Sequence, residues 1–194
     1  MEERLHMQTG QSQFDELKMV SYALEGDLDA FNRLVMEYQD LAYNVAYRVV
    51  GERTAAEDAV QDAFISAFRK LKSFRGGSFK AWLLRIVTNA CYDQLRAKKR
   101  RPTSSLDDLP VEADHTYHMR DPAEQPDEYV ARQDLNRLIQ SAITTLPAEQ
   151  RTVVVLSDVQ GLGYGEIAEV AGSSTATVTR ISQWLHHGEG GYAL

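Results

Sequence analysis

The sequence contains a single cysteine, Cys91, in 194 residues, so no disulfide can form within the chain. A lone cysteine fits a protein of a reducing compartment. No apolar run approaches the roughly 18 residues that a membrane-spanning helix needs. The first residues are polar and acidic, which is unlike a signal peptide. We therefore expect a soluble protein of the cytoplasm, without membrane insertion.

The arrangements that support catalysis are also missing from the sequence. It has no phosphate cradle, no cluster of metal ligands and no nucleophile beside a general base. His115 and His118 have no cysteine nearby, and His186 and His187 are adjacent near the end of the chain. Neither pair has the spacing of a typical metal site. We expect no catalytic residue, no metal and no cofactor, and therefore a protein that is not an enzyme.

Proline is scarce, and four of the five prolines lie between Pro102 and Pro126. The segment 102–128 is also rich in acidic residues and poor in large apolar ones. This composition predicts a flexible acidic linker, with a solvated tether favoured over contact with other segments. It would separate an N-terminal extension (1–26) and a first domain (27–101) from a second domain (129–194).

Positive charge is scarce in most of the chain, whose net charge is −7, but it is concentrated in one segment. Residues 69–101 hold more than half of the lysines and arginines, with Asp93 as the only acid. Phe74, Phe79, Trp82 and Tyr92 lie among these cations. The periodicity places Trp82 in the core. Cations mixed with aromatic rings indicate a surface for a polyanion, including unstacked bases. We call residues 69–101 the basic-aromatic segment.

Apolar residues at three- and four-residue spacing predict three helices in the first domain. Gly51 is expected to end the first helix, Thr54 and Glu57 to form a capping box for the second, and Ser78 to cap the third. The buried face of the second helix is predicted to include Ala59, Val60, Ala63, Phe64, Ala67, Phe68 and Leu71. The exposed face of the third is predicted to carry Arg85, Thr88, Asn89, Tyr92, Arg96 and Lys99.

The second domain is also predicted to be helical, including the β-branched run 153–155. Pro147 suits a helix's first turn. Between Tyr164 and Trp184, a small residue (Ala168), a glycine (Gly172) and apolar anchors follow the spacing of a helix-turn-helix. An ordinary helical hairpin is the alternative. The first helix of the domain is predicted to bury Leu135, Leu138, Ile139, Ala142, Ile143 and Leu146. The candidates for DNA contact are Ser173, Ser174, Thr175, Thr177, Thr179, Arg180 and Gln183.

Four segments in this order resemble bacterial RNA polymerase sigma factors of the extracytoplasmic-function (ECF) group. They are AAEDAVQDAFISAFRKLKSF (55–74), FRGGSFKAWLLRIVTNACYDQLRAKKRR (74–101), LPAEQRTVVVLSDVQGLGYGEIAEVAG (146–172) and SSTATV (173–178). The resemblance covers about 27–181. It implies an all-α fold of two small domains, a sigma-2-like helical bundle and a sigma-4-like helix-turn-helix, joined by the acidic linker.

The resemblance also implies a function, that of a transcription initiation factor that binds core RNA polymerase and directs it to promoters. The first domain would dock on the clamp helices of the largest subunit and melt the minus-ten element. The second would read the minus-thirty-five element near the flap of the second-largest subunit, and an anti-sigma factor is an expected partner. The implied docking residues are Asp58, Gln61, Asp62 and Phe64. The implied minus-ten residues are Phe74, Arg75, Lys80, Arg85, Thr88, Asn89, Tyr92, Arg96, Lys98 and Lys99.

The end of the chain departs from the family pattern. After Val178 the only fixed cation is Arg180, where relatives have several, and Gly163 stands where a serine or threonine cap is expected. Gly188, Gly190 and Gly191 are expected to stop any helix. Either the tail is altered, for instance by a late change of reading frame, or this protein reads duplex DNA weakly. Two other functions remain open, a stand-alone helix-turn-helix regulator and a sigma-like decoy that binds polymerase without reading the upstream element.

Overall fold

The computed structural model describes residues 16–100 and 126–187. Most of the proposed linker (102–125), with His115 and His118, lies outside these ranges, as do Arg101 and the glycines from Gly188 onward. Every regular element in the described ranges is helical, which confirms the all-α prediction. No helix in these ranges is long and apolar enough to cross a bilayer.

The helices form an N-terminal and a C-terminal group, in agreement with the two predicted helical domains. The N-terminal group is α1 (16–24), α2 (Leu28–Val50), α3 (Arg53–Lys70), a 3-10 turn (Leu71–Ser73) and α4 (Phe79–Arg100). Helix α1 was not predicted: it lies in the segment assigned to an N-terminal extension (1–26), yet its Val20 and Ala23 are buried in the core. The C-terminal group is α5 (Pro126–Thr145), α6 (Ala148–Val154), one π-helical turn (Val155–Val159), α7 (Tyr164–Ala171) and α8 (Thr175–His187). The valine run is therefore helical, as predicted. Pro147 precedes α6 as its N-cap and not as a residue of its first turn.

Two of the three predicted helix boundaries in the first domain are confirmed. Gly51 ends α2 with a φ of 76°, and the Ser78 hydroxyl accepts a hydrogen bond from the amide of Ala81 at 3.1 Å. The capping box at Thr54 is wrong, because α3 already begins at Arg53. The Glu57 carboxylate accepts instead from Arg53 Nε at 2.8 Å.

Helix α3 packs into the N-terminal group through a row of small side chains. Its buried residues are Ala56, Ala59, Ala63 and Ala67. Small side chains at a contact let helix axes approach closely, so the larger residues lie at the rim. Phe68, predicted to be buried, is 49% exposed and contacts the ring of Phe31 at a centroid distance of 5.1 Å.

The prediction for α5 is wrong for most of its apolar stripe. Only Ile143 of that stripe is buried, whereas Leu138 is 69% exposed. The reason is that α5 contacts α2 of the N-terminal group with a polar residue, Gln140, whose amide bonds the α2 backbone. Its apolar pattern identified an amphipathic helix but not the side on which neighbours lie.

The two helical groups share one apolar core. Helix α4 contacts α2 and α3 on the N-terminal side and α7 of the C-terminal group, and α2 contacts both α5 and α6. Buried side chains from both groups, such as Leu84 and Ile167, belong to the same cluster. The C-terminal group therefore lies against the helix that carries most of the basic-aromatic segment.

Candidate nucleic-acid interface

Helix α4 is buried around more than half of its circumference. At 100° per residue, its buried side chains extend from Phe79 through Leu83 and Val87 to Leu84 and Thr88. A surface helix packed on one side alone shows a narrower apolar stripe. The greater width follows from packing against α2 and α3 on one side and α7 on the other. It leaves one exposed strip, which holds Arg85, Asn89, Asp93, Arg96 and Arg100.

The loop that precedes α4 has a backbone that only glycine adopts easily. Gly76 and Gly77 have φ values of 94° and 88°, in the region that side chains disfavour. No atom lies within 4 Å of a Cβ placed at either residue, so backbone strain and not space requires glycine there. The loop is exposed from Arg75 to Ser78. It can therefore follow a strand of nucleic acid closely.

Three aromatic rings support this loop. Phe74 contacts Trp82 at a centroid distance of 5.5 Å and Phe79 at 5.7 Å, both edge to face. Phe79 is buried, whereas Phe74 is half-buried. Trp82, which the periodicity placed in the core, packs against the core but is only half-buried. Such pairs prefer edge-to-face geometry. The cluster holds the loop against the first turn of α4. It leaves part of the Phe74 and Trp82 rings accessible for stacking.

The cations of α4 lie at the surface, and some already have acidic neighbours. Lys98 Nζ is 3.1 Å from Glu52 Oε2, and Arg96 contacts Asp93 at 2.7 Å. Exposed ion pairs of this kind contribute little stability, typically about 0–1 kcal/mol. A phosphate can therefore replace the carboxylate at low cost. Lys99, Arg85 and Arg75 are exposed, and Lys80 is half-buried.

Two residues predicted for the exposed face of α4 lie elsewhere. Thr88 is fully buried, and its hydroxyl donates to the carbonyl of Leu84 at 2.8 Å. Tyr92 is half-buried, and its hydroxyl donates to Thr152 Oγ1 of α6 at 3.0 Å. Burial raises the pKa of Tyr92, and the hydrogen bond to Thr152 offsets part of that rise. In this arrangement Thr88 cannot touch DNA, whereas Tyr92 keeps part of its ring exposed but has its hydroxyl bonded to α6.

The residues expected to dock on polymerase lie on the outer side of α3. Asp58, Gln61 and Asp62 are exposed, while Phe64 is half-buried and packs against the core. The first three can meet a partner without rearrangement. Phe64 offers only the outer part of its ring.

Helices α7 and α8 have the geometry of a helix-turn-helix. The turn has Gly172 at a φ of 63°, and Ile167 and Val178 are fully buried between the helices. The hydroxyls of Tyr164 and Ser182 are 2.8 Å apart and join the two helices. Gly163 is the N-cap of α7, and its amide donates to the Glu166 carboxylate at 3.2 Å. This bond partly replaces the missing side-chain cap.

Several hydroxyls that were predicted to contact DNA are used within α8 itself. Ser174 Oγ accepts from the amide of Thr177 at 3.2 Å, and Thr179 Oγ1 donates to the carbonyl of Thr175 at 2.9 Å. The exposed residues on this side are Ser173, Ser174, Thr175, Arg180 and Gln183. Arg180 is the only lysine or arginine in α8.

Sequence reasoning missed the residues that join the two helical groups. Gln140 Nε2 donates to the carbonyl of Arg48 at 3.3 Å, and the Arg151 guanidinium donates to the carbonyl of Val49. Arg151 is a buried cation next to the valine run 153–155. The sequence did offer one indication of this contact: Arg151 places a charge on the side of the helix that is otherwise apolar, and a buried charge needs polar partners. Within residues 16–100 and 126–187, no group of His, Cys, Asp and Glu is arranged to hold a metal ion.

Comparison with known proteins supports two sigma-factor regions. The family model for Sigma-70 region 2 matches residues 34–101, and the model for Sigma-70, region 4 matches residues 136–181. The ECF RNA polymerase sigma-E factor of Haemophilus influenzae is 34% identical over 171 residues, which cover 86% of this chain and 88% of that protein.

Solved structures show the same fold. CnrH in complex with the cytosolic domain of CnrY is 27% identical, with a TM-score of 0.58 over 90% of this chain and 99% of that chain. The sigma factor RpoE of Bartonella quintana, in complex with the anti-sigma factor NepR, is 24% identical with a TM-score of 0.62, covering 82% of this chain and 94% of that chain. The latter supports the fold alone. The chain thus belongs to the ECF family of RNA polymerase sigma factors, and it is a transcription initiation factor that directs the polymerase to promoters.

Proposed function

We propose that the two DNA-binding tasks are divided unequally between α4 and α8. Helix α4 and the loop before it capture the melted non-template strand of the minus-ten element. Helix α8 reads the minus-thirty-five element as duplex and contributes less affinity. The observation that carries this proposal is the placement of exposed cations and half-buried aromatic rings on one strip of α4 and its loop.

Single-stranded capture suits the chemistry of that strip. Stacking of a base on an aromatic ring contributes roughly 1–3 kcal/mol, and a cationic groove holds the backbone. Phe74 and Trp82 offer ring surface, Arg75 lies on the loop, and Arg85 lies on the strip. Lys80 is in the first turn of α4, on the side away from the strip. Asn89 adds a donor and an acceptor for a base edge. Lys98, Lys99 and Arg96, farther along α4, would hold phosphates.

Polymerase binding is assigned to the outer side of α3. Asp58, Gln61 and Asp62 would meet the clamp helices of the largest subunit, with Phe64 at the edge of the contact. Acidic side chains beside an amide suit a basic partner surface. The C-terminal group would lie near the flap of the second-largest subunit, and the protein would act in the cytoplasm with polymerase and chromosome.

An anti-sigma factor is the proposed regulator. CnrH, which is 27% identical to this chain, is likewise in complex with a second protein, the cytosolic domain of CnrY. The exposed apolar residues of α5, Leu135 and Leu138, are suited to a partner with an apolar face.

Run-off transcription tests the division of tasks. Core RNA polymerase and this protein are incubated with genomic fragments, and the promoters found are then changed in either the minus-ten or the minus-thirty-five element. We expect changes in the minus-ten element to lower the transcript yield more than changes upstream. An equal or larger loss from the upstream changes would contradict the division, and the absence of any promoter-dependent transcript would contradict the promoter roles themselves.

A further inference from the structure

Helix α1 is joined to α2 by a short turn with a defined hydrogen-bond pattern. Gly26 has a φ of 102°, and its amide donates to the carbonyl of Ala23 at 3.1 Å. The amide of Asp27 donates to the carbonyl of Tyr22 at 3.0 Å. These two bonds form the Schellman arrangement that ends a helix at a glycine. The Asp27 carboxylate then caps the start of α2, so the turn fixes the direction of α1 relative to α2.

Side chains at both ends of α1 hold it on the N-terminal group. Near the turn, Val20 and Ala23 are buried in the core. At the far end, the Glu16 carboxylate accepts a hydrogen bond from the Tyr38 hydroxyl of α2. Burial raises the pKa of Tyr38, and the bond to Glu16 adds to that rise. Glu16 and Tyr38 lie about 12 and 15 Å from the turn along their helices, as an antiparallel helix pair requires.

The Tyr38 ring connects α1 to the aromatic cluster that supports the loop before α4. Tyr38 is 8% exposed, and its ring centroid lies 5.6 Å from that of Phe79, the first residue of α4. The ring of Phe79 in turn lies 5.7 Å from that of Phe74 and 5.4 Å from that of Trp82. A continuous path of contacts therefore runs from α1, through Tyr38 and Phe79, to the two half-buried rings that offer surface for bases.

The loop depends on this cluster because it has little packing of its own. Residues 75–78 are exposed, and no atom lies within 4 Å of a Cβ placed at Gly76 or Gly77. Phe74 and Trp82 contact each other and Phe79. A binding surface that is already held in its bound geometry loses less entropy on binding. The position of Phe79 therefore affects how well the loop holds an unstacked base.

We propose that Glu16 and Tyr38 are positioning residues for minus-ten capture. The Glu16 carboxylate fixes the Tyr38 hydroxyl, and the Tyr38 ring fixes Phe79. Phe79 in turn holds Phe74 and Trp82 in the orientation that stacks on bases. Helix α1, most of which precedes the residues 34–101 matched by the model for Sigma-70 region 2, thus acts in promoter opening through the core of the N-terminal group. This inference rests on the proposed minus-ten role of α4 and its loop.

Trp82 reports the position of the cluster in the absence of DNA. The chain has two tryptophans, so Trp184→Phe leaves Trp82 as the only one. In this background, acrylamide quenching of fluorescence measures how accessible the Trp82 ring is in the free protein. Glu16→Ala removes the acceptor of the Tyr38 hydroxyl, and we expect it to raise the quenching constant.

Two further variants separate the hydrogen bond from other effects of the substitution. Glu16→Gln keeps an oxygen that can accept from the Tyr38 hydroxyl, and it should restore the parent quenching constant. Glu25→Ala removes an exposed carboxylate just after α1 and is the matched control. We expect the control to leave the accessibility of Trp82 unchanged.

Permanganate footprinting with core polymerase measures promoter opening, on a promoter found by run-off transcription. We expect Glu16→Ala and Tyr38→Phe each to give about fivefold fewer open complexes, a factor that corresponds to one lost hydrogen bond. Tyr38→Phe keeps the buried ring, so the core stays filled. The double variant should lose no more than either single variant, because both remove the same bond. Binding to core polymerase should stay at the parent level, since the proposed docking residues lie on α3.

Three results would overturn the positioning role. They are unchanged Trp82 quenching in Glu16→Ala, opening by Glu16→Ala equal to that of Glu25→Ala, and additive losses in the double variant. Loss of opening in Glu16→Gln as large as in Glu16→Ala would also contradict it, because the hydrogen bond would then not be the cause. If the parent itself opens no promoter, the minus-ten role fails, and the quenching results alone decide whether α1 positions the rings.

Discussion

Helices α4 and α8 are the two elements predicted to meet DNA, and they differ in charge and in burial. Over Phe79–Arg100, α4 carries cations from Lys80 to Arg100 and one acid, Asp93. Over Thr175–His187, α8 has Arg180 as its only lysine or arginine. Helix α4 also packs against helices of both groups, whereas α8 packs against α6 and α7 of the C-terminal group.

This difference shows how one helix can both stabilise the fold and bind a ligand. It does so when one face is buried in the core and a different face is exposed for binding. In α4 the wide buried arc contributes stability, and the narrow exposed strip carries charge. In α8 the buried anchor is mainly Val178, and the hydroxyls at its start stabilise the helix itself. The affinity for DNA should therefore depend on α4 more than on α8.

The largest expected effect is on stability. Leu84→Ala removes a fully buried side chain where the two helical groups meet, and we expect it to lower the free energy of unfolding by about 2–5 kcal/mol. Val178→Ala in α8 should cost less, about 1.6 kcal/mol, because it removes fewer buried carbon atoms. Urea denaturation followed by circular dichroism measures both. Equal losses would contradict the view that α4 is the more deeply integrated helix.

The next effect separates promoter opening from polymerase binding. Asn89→Ala removes an exposed donor and acceptor from α4, and we expect about 1–3 kcal/mol less stabilisation of the open complex, or roughly 5- to 150-fold. Arg180→Ala in α8 is the matched variant and should lose less. Permanganate footprinting reports opening, and a pull-down with core polymerase reports binding. If Asn89→Ala weakens both equally, the variant has a folding defect and the comparison is not tested.

The salt dependence of DNA binding gives a third measurement. Lys98→Ala with Lys99→Ala should reduce the slope of log K against log salt by about 1.4, because each phosphate contact with single-stranded DNA contributes roughly 0.7. Arg137→Ala, on α5, is the control and should leave the slope unchanged. Titration of single-stranded DNA at several salt concentrations provides the slopes. An unchanged slope in the lysine variant would place both side chains in solvent.

The smallest effect appears at alkaline pH. Burial raises the pKa of Cys91, on the inner side of α4, from 9.0 to about 12. The folded state therefore keeps this proton where the unfolded state has lost it, so stability is full below about pH 9 and falls as pH rises toward 12. Denaturation at pH 8 and pH 10.5 should show the fall, and Cys91→Ala should show a smaller one. A parent and a variant with the same pH dependence would contradict it.

Much of the fold followed from local patterns. Three- and four-residue spacing identified α2, α3 and α4. Gly51, Ser78 and Gly172 marked boundaries that depend only on backbone conformation and nearby donors. The valine run was assigned to a helix correctly because no strand was available to pair with it. These features are local, so one segment contains the information that specifies them.

Apart from the capping box at Thr54 and the position of Pro147, the errors concern which side of a helix has a neighbour. Phe68 was predicted to be buried and is exposed, because α3 packs through its alanines. Leu135 and Leu138 are exposed, because α5 contacts α2 through Gln140. Thr88 was predicted to be exposed and is buried, and its bond to the Leu84 carbonyl satisfies its hydroxyl, so a polar residue can lie there at little cost.

The sequence by itself determined the helices from α2 onward, most of their boundaries, the segregation of positive charge and the family, because each depends on residue order along the chain. The tertiary structure alone decided that Tyr92 bonds Thr152 and that Arg151 and Gln140 hold the end of α2. Those contacts join residues 60 to 102 positions apart, and no local pattern specifies such pairs. The basic-aromatic segment is thus recognisable from residues alone, but its accessibility depends on packing between distant helices.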